Sequence, residues 1–107
     1  MEIELGLKQS LVSIIIPTYN SKQYLDSAVN SALSQSYKNI EVIVVDDGSS
    51  DGTVELFPDF EKLGVKCFSQ ENKGAATARN LGLKNASGDY IQYLDSDDIL
   101  HTDKLKI

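Results

Sequence analysis

Four short apolar runs, each separated from the next by a turn-and-helix segment, leave this chain of 107 residues very few folds. The first run is Leu11-Val12-Ser13-Ile14-Ile15-Ile16, closed by Pro17. The second, Val42-Ile43-Val44-Val45, is too continuously apolar for a strand with one wet face, so it predicts a central strand covered on both sides. Val65-Lys66-Cys67-Phe68 alternates weakly and predicts an edge strand. Tyr90-Ile91-Gln92-Tyr93-Leu94 comes after the turn Ser87-Gly88-Asp89 and predicts a fourth.

The intervening segments carry a different period. Tyr24, Leu25, Ala28, Val29, Ala32 and Leu33 recur at a spacing of four, two abreast, which is one face of an amphipathic helix capped by Asn20 or Ser21. The turn cluster Asp46-Asp47-Gly48-Ser49-Ser50-Asp51-Gly52-Thr53 leads to a short helix over 54–57, which Pro58 should end or kink. Lys73-Gly74 opens a third helix, where Ala75, Ala78, Leu81 and Gly82 form a small-residue face able to approach a sheet closely. The order βαβαβαβ calls for a parallel sheet with right-handed crossovers. Placing the two most apolar runs centrally gives a three-layer α/β/α, Rossmann-like sheet of order 3-2-1-4. Residues 1–10, with Glu2 and Glu4 in a broken apolar pattern, read as a lead-in rather than a secretory signal, and 11–107 as one domain.

In such sheets ligands sit beyond the carboxyl ends of the strands, so the residues just past each strand matter most. Asp95 and Asp97 stand after the fourth; on an extended backbone both carboxylates would share a face. Two carboxylates so close repel unless one is protonated or a cation is bound, and hard oxygen ligands favour Mg²⁺ or Mn²⁺. A solvated turn is the bland alternative. Of Asp46 and Asp47, one is expected to cap the next turn, where Asp51 or Ser50 would serve as well, and the other to meet a ligand. An ionised carboxylate accepts only, which suits a ribose hydroxyl or the imide N–H of a uracil-like base. Tyr19 offers a ring face to a base or packs beside the first helix. Arg79, the chain's only guanidinium, suits a diphosphate or pairs with a rim aspartate.

Other chemistries are excluded by what is missing. A formal net charge of −6 argues against a nucleic acid held by its phosphates, though not against a single phosphate ligand. No apolar run approaches the roughly 18 residues of a membrane span. There is no Gly-x-Gly-x-x-Gly after the first strand and no P-loop. His101 is the sole histidine, which leaves zinc without a ligand set, and Cys67 stands alone as a small core side chain.

Taken together, the motifs resemble a known family. Val12-Ser13-Ile14-Ile15-Ile16-Pro17-Thr18-Tyr19-Asn20 and Glu41-Val42-Ile43-Val44-Val45-Asp46-Asp47-Gly48-Ser49-Ser50-Asp51-Gly52-Thr53 resemble the start of family 2 glycosyltransferases of the GT-A fold. Asn72-Lys73-Gly74, Ala78-Arg79-Asn80-Leu81-Gly82 and Gly88-Asp89-Tyr90-Ile91-Gln92-Tyr93-Leu94-Asp95-Ser96-Asp97-Asp98 continue it in order and spacing.

The resemblance implies a nucleotide-diphospho-sugar site, UDP-linked by preference. Pro17, Thr18 and Tyr19 would line the nucleotide pocket, Asp47 would bind the base, and Arg79 would lie near base or diphosphate. Asp95-Ser96-Asp97 would be the Asp-x-Asp element, with Asp97 as direct ligand of Mn²⁺ or Mg²⁺ and Asp95 or Ser96 towards ribose and sugar. The family transfers sugar with inversion to an acceptor hydroxyl, using a carboxylate base that lies well beyond the Asp-x-Asp. The base is therefore expected beyond Ile107, past a helix opening at Thr102-Asp103-Lys104-Leu105, and this chain is expected to be the donor half of a larger enzyme, inactive alone. The acceptor stays open among saccharide, lipid and protein. The location implied is cytoplasmic, at the inner face of the cytoplasmic membrane for the full-length protein. A bare outer edge on the fourth strand would invite dimerisation. Two rival classes are a non-catalytic interaction module of the same fold and a phospho-acceptor receiver domain. The receiver needs its acidic pair after the first strand, where Pro17-Thr18-Tyr19 stands instead.

Overall fold

The computed structural model describes residues 10–101; the helix expected from Thr102 and most of the lead-in lie outside them. Strands β1 (Val12–Thr18), β2 (Ile40–Asp46), β3 (Lys66–Ser69) and β4 (Tyr90–Tyr93) form one sheet, all pairs parallel, in the order β3-β2-β1-β4. The expected order is the observed one. Helix α1 (Lys22–Leu33) joins β1 to β2, and α3 (Ala75–Lys84) joins β3 to β4. Between β2 and β3 lie a 3₁₀ turn (Thr53–Leu56) and α2 (Phe57–Lys62).

The two faces of the sheet bury separate cores. Ile14, Ile16, Val42 and Val44 point to one side and pack with Leu25, Ala28, Val29 and Ala32 of α1 and Phe60 of α2. Their alternating neighbours Ile15, Ile43 and Val45 point to the other and meet Ala78 of α3. This is why the Val42–Val45 run shows no polar alternation: both faces are covered. Gly82 sits where α3 comes closest, and a Cβ there would stand 2.6 Å from Ile15 Cγ2.

Four local expectations differ from the structure. Pro17 lies inside β1 instead of closing it. Ile15 bonds towards β4, accepting from Leu94 N–H at 3.0 Å, so Pro17 turns its missing donor to the same side, past the last β4 residue. Pro58 opens α2 at the first turn, where an N–H has no intrahelical partner anyway, rather than ending a helix. Tyr24 is half exposed, since the buried stripe of α1 is carried by Leu25, Ala28, Val29 and Ala32. Ser21 precedes α1 but makes no side-chain cap; the Asp51 carboxylate accepts from Lys22 N–H at 3.0 Å instead. The same carboxylate accepts from Thr53 N–H at 3.1 Å, so it serves two helix starts.

Register sets up the rim. Thr18 pairs with Asp46, and Asp46 with Ser69, so three strands end in one row. The ladder then runs one step further, with Asp47 N–H on Thr18 C=O and Gln70 N–H on Asp46 C=O, each at 2.9 Å. Their loops leave the sheet side by side.

Candidate active site

A cleft of about 400 Å³ opens at this carboxyl edge. Pro17, Thr18 and Tyr19 line it from the β1 exit and Asp47 from the β2 exit. Arg79 reaches it from the first turns of α3, and Asp95, Ser96 and Asp97 from the β4 exit. All eight residues singled out from sequence therefore face one space, of a size that suits a small-molecule ligand. Asn72, Gly74 and Ala75, which sequence reasoning does not assign to the site, line it as well. The Asn-x-Gly just before a helix is the signal available for them.

The β1 exit is fixed by its neighbour. Asn20 takes a left-handed φ of 48°, and its Oδ1 accepts from Ser50 N–H at 2.8 Å while its own N–H donates to Ser49 Oγ, also at 2.8 Å. Tyr19 is 50% exposed and lines the cleft. Thr18 is buried, and its Oγ1 has no hydrogen-bond partner among the described residues. A buried hydroxyl without a partner costs free energy until water or ligand satisfies it.

The two adjacent aspartates divide unequally. Asp46 is buried and accepts from Ser49 N–H at 3.1 Å and from Ser49 Oγ, so it caps its own turn. Asp47 is also buried, and its carboxylate is surrounded by donors from the β3–α3 loop. Oδ1 accepts from Gln70 Nε2 and Lys73 N–H, both at 2.8 Å. Oδ2 accepts from Asn72 Nδ2 and Gly74 N–H, both at 3.0 Å. Burial raises the pKa of this carboxyl, but the bonds from Lys73, Gln70 and Gly74 outweigh it and hold the group below its ordinary value of 3.8. Asp47 thus stands at the N-terminus of α3 as an ionised group that the helix end favours. The loop approaches so closely that a Cβ on Gly48, whose φ is +77°, would meet Asn72 N at 2.7 Å.

Residues 95–98 form a turn closed by Asp98 N–H on Asp95 C=O at 3.0 Å, not the extended strand that would point Asp95 and Asp97 to one face. Both carboxylates are exposed and still reach the same cleft, with Ser96 buried between them. Among the described residues no group of three or more His, Cys, Asp and Glu side chains gathers as a closed cage. Two carboxylates opening on a cleft fit a Mg²⁺ or Mn²⁺ ion, which binds through one or two carboxylates and takes the rest from water and ligand phosphate. Arg79 pairs with no carboxylate among the described residues, so the expected link to a rim aspartate is absent and its charge is available to a ligand.

What the fold and this edge define is an α/β domain with a polar cleft at the carboxyl ends of its strands, lined by a tyrosine, an arginine and an acidic turn. The chain belongs to glycosyl transferase family 2, whose family model matches residues 13–107. It is 47% identical over 103 residues to an uncharacterized glycosyltransferase of Haemophilus influenzae, covering 94% of this chain and 41% of that protein. It is 44% identical over 99 residues to the putative teichuronic acid biosynthesis glycosyltransferase TuaG of Bacillus subtilis, covering 90% and 39%. Among solved structures, S. aureus TarS 1-349 in complex with UDP-GlcNAc superposes with a TM-score of 0.80 at 37% identity, over 89% of this chain and 29% of that one. The mannosyltransferase PcManGT of Pyrobaculum calidifontis, in complex with GDP-Man and Mn²⁺, gives 0.74 at 28% identity, over 82% and 28%. The chain thus spans about two-fifths of the length of these curated relatives. No helix among the described residues is long and apolar enough to cross a membrane.

Proposed function

We propose that this chain is the donor-binding part of an inverting glycosyltransferase that uses a nucleotide-diphospho-sugar, UDP-linked by preference, with a divalent cation. The observation that carries this reading is the convergence of three loops and the α3 N-terminus on one cleft. The neighbours solved with UDP-GlcNAc and with GDP-Man and Mn²⁺ support the ligand class.

The roles that the family resemblance implies can be laid on this cleft. Tyr19 offers a ring face for the base and Pro17 the wall beside it. Asp47 accepts from a base imide N–H; its lone pairs are already taken by the loop, so one side-chain donor, Gln70 or Asn72, gives way. Thr18 Oγ1 finds its missing partner on the ligand or on a water that the ligand holds. Arg79 places a guanidinium fork on the diphosphate. Asp97 and Asp95 hold the cation, and Ser96 lies between them towards ribose and sugar. Asp95 and Asp97 would by themselves repel a diphosphate; a cation held there would reverse the local sign and supply charge stabilisation to the leaving group. The reading for this chain is donor and cation binding, and the base that activates the acceptor hydroxyl is not assigned to any of these residues.

Calorimetric titration of UDP, with Mn²⁺ and with EDTA, on this chain and on Asp97→Ala tests the reading. Binding that is tighter with metal than in EDTA, with that gain lost in the variant, is expected. A folded chain that ignores UDP in either buffer would refute it.

A further inference from the structure

We infer that Ser31 and Gln35, at the C-terminal end of α1 and outside the cleft lining, are positioning residues that hold the acidic turn in place for its cation. The inference rests on the donor-and-metal reading above and adds the part of the chain that makes the turn rigid.

The turn has two anchored ends. At its entry, Leu94 continues the sheet, donating to Ile15 C=O at 3.0 Å, and its side chain is buried in the α1-facing core. At its exit, Leu100 is buried in that same core, but no strand partner is left to take its backbone. Helix α1 supplies the substitute. Ser31 Oγ accepts from Leu100 N–H at 2.9 Å while donating to Ala28 C=O at 2.8 Å. Gln35, fully buried just past the end of α1, donates from Nε2 to His101 C=O at 2.6 Å and to Leu100 C=O at 3.4 Å. The same amide donates to Ser31 C=O at 3.2 Å, one of the carbonyls that the helix end leaves without a partner. A buried amide is tolerated only when its bonds are made, so Gln35 has a strong preference for the geometry in which the exit strand lies against α1.

The consequence falls on residues 95–99, which bridge the two anchors. With both ends fixed, Asp95 and Asp97 are presented to the cleft before any cation arrives. With the exit released, the turn is held by the sheet at one end alone, and a cation must order the second carboxylate at its own entropic expense. Neither Ser31 nor Gln35 lines the cleft, so their loss should leave binding of metal-free nucleotide untouched.

The test is the ratio of UDP affinities with Mn²⁺ and with EDTA, measured by calorimetry on the unmodified chain, Ser31→Ala, Gln35→Met and Ser31→Thr. Ser31 and Gln35 bond the backbone of Leu100 and His101 rather than a carboxylate itself, so the ratio should fall by about fivefold in Ser31→Ala and Gln35→Met, the worth of one hydrogen bond. Affinity in EDTA should hold in all four proteins, and Ser31→Thr, which keeps the hydroxyl, should keep the ratio. Circular dichroism confirms that each is folded; should Gln35→Met fail to fold, Ser31→Ala carries the decision. An unchanged ratio in folded Ser31→Ala, or an equal fall in EDTA, overturns the inference while leaving the donor reading intact. A ratio of one in the unmodified chain would overturn both.

Discussion

Replacing Asp47 by asparagine removes one charge and almost no volume, and the geometry around it sets what that should cost. The carboxylate gathers the β3–α3 loop through Gln70 Nε2, Lys73 N–H, Asn72 Nδ2 and Gly74 N–H at 2.8–3.0 Å. An amide has one acceptor oxygen, so in either orientation its NH₂ must face donors. With oxygen towards Gln70 and Lys73, the Asn72 side chain can swing away, while the Gly74 N–H, fixed at the start of α3, keeps only its longer 3.3 Å contact to that oxygen. The variant therefore loses at least one bond to a charged acceptor and weakens the remainder, roughly 2–3 kcal/mol in all. For a domain of this size, with a urea m-value of roughly 1–1.5 kcal/mol per M, the unfolding midpoint should fall by about 2 M. Urea titration followed by circular dichroism reads this directly. A midpoint within about 0.4 M of the parent would refute the claim that this carboxylate holds the loop, since that shift corresponds to only about 0.5 kcal/mol.

The same group sets an acid limb. Asp47 and Glu41 are both held below their ordinary values of 3.8 and 4.5, in each case by hydrogen bonds that outweigh burial. Each therefore contributes stability that is fully present above its ordinary value and is lost as pH falls through the lower, folded one. The urea midpoint should stay flat from neutrality to about pH 5 and then decline, with a shallower decline in Asp47→Asn. Gly82→Ala should destabilise by about 1–3 kcal/mol, because its Cβ would press on Ile15 Cγ2 at 2.6 Å in a core strand that has no room to shift; thermal melts check it, and an unchanged Tm would mean α3 can lift off the sheet freely. The Cys67 thiol is pushed up to about 12 by burial, with Glu61 adding to it. Its alkylation by iodoacetamide at pH 8 should thus be far slower in the folded chain than in urea, and equal rates would contradict that environment.

The fold is legible because its cause is periodic. Val42, Ile43, Val44 and Val45 state in four letters that a strand is covered on both faces, and no turn chemistry can disguise that. The elements that sequence misplaces depend on which side a backbone group faces. Pro17 reads as a strand breaker, yet its missing N–H points past the end of β4, a fact set by the register of a strand more than seventy residues away. Pro58 terminates or initiates a helix depending on where the helix starts, and the preceding 3₁₀ turn moves that start.

The site shows the same division between side chain and backbone. Residue types point to the cleft: a tyrosine, an arginine and paired aspartates beyond strand ends all arrive there. What spacing cannot give is their state of engagement. Asp95 and Asp97 look like a strand pair but sit in a turn, and the turn is fixed by Ser31 and Gln35, which lie more than sixty residues earlier in the chain. Asp47 looks free to accept from a ligand but already holds a loop, because the donors come from Gln70 and Asn72 and from backbone that any residue would carry. On the proposed reading, ligand binding at Asp47 would exchange one hydrogen bond for another rather than fill an empty acceptor. Its net gain would be that of a difference, so the larger part of the proposed donor affinity would come from the groups without such ties: Arg79, the acidic turn once it holds a cation, and the exposed Tyr19.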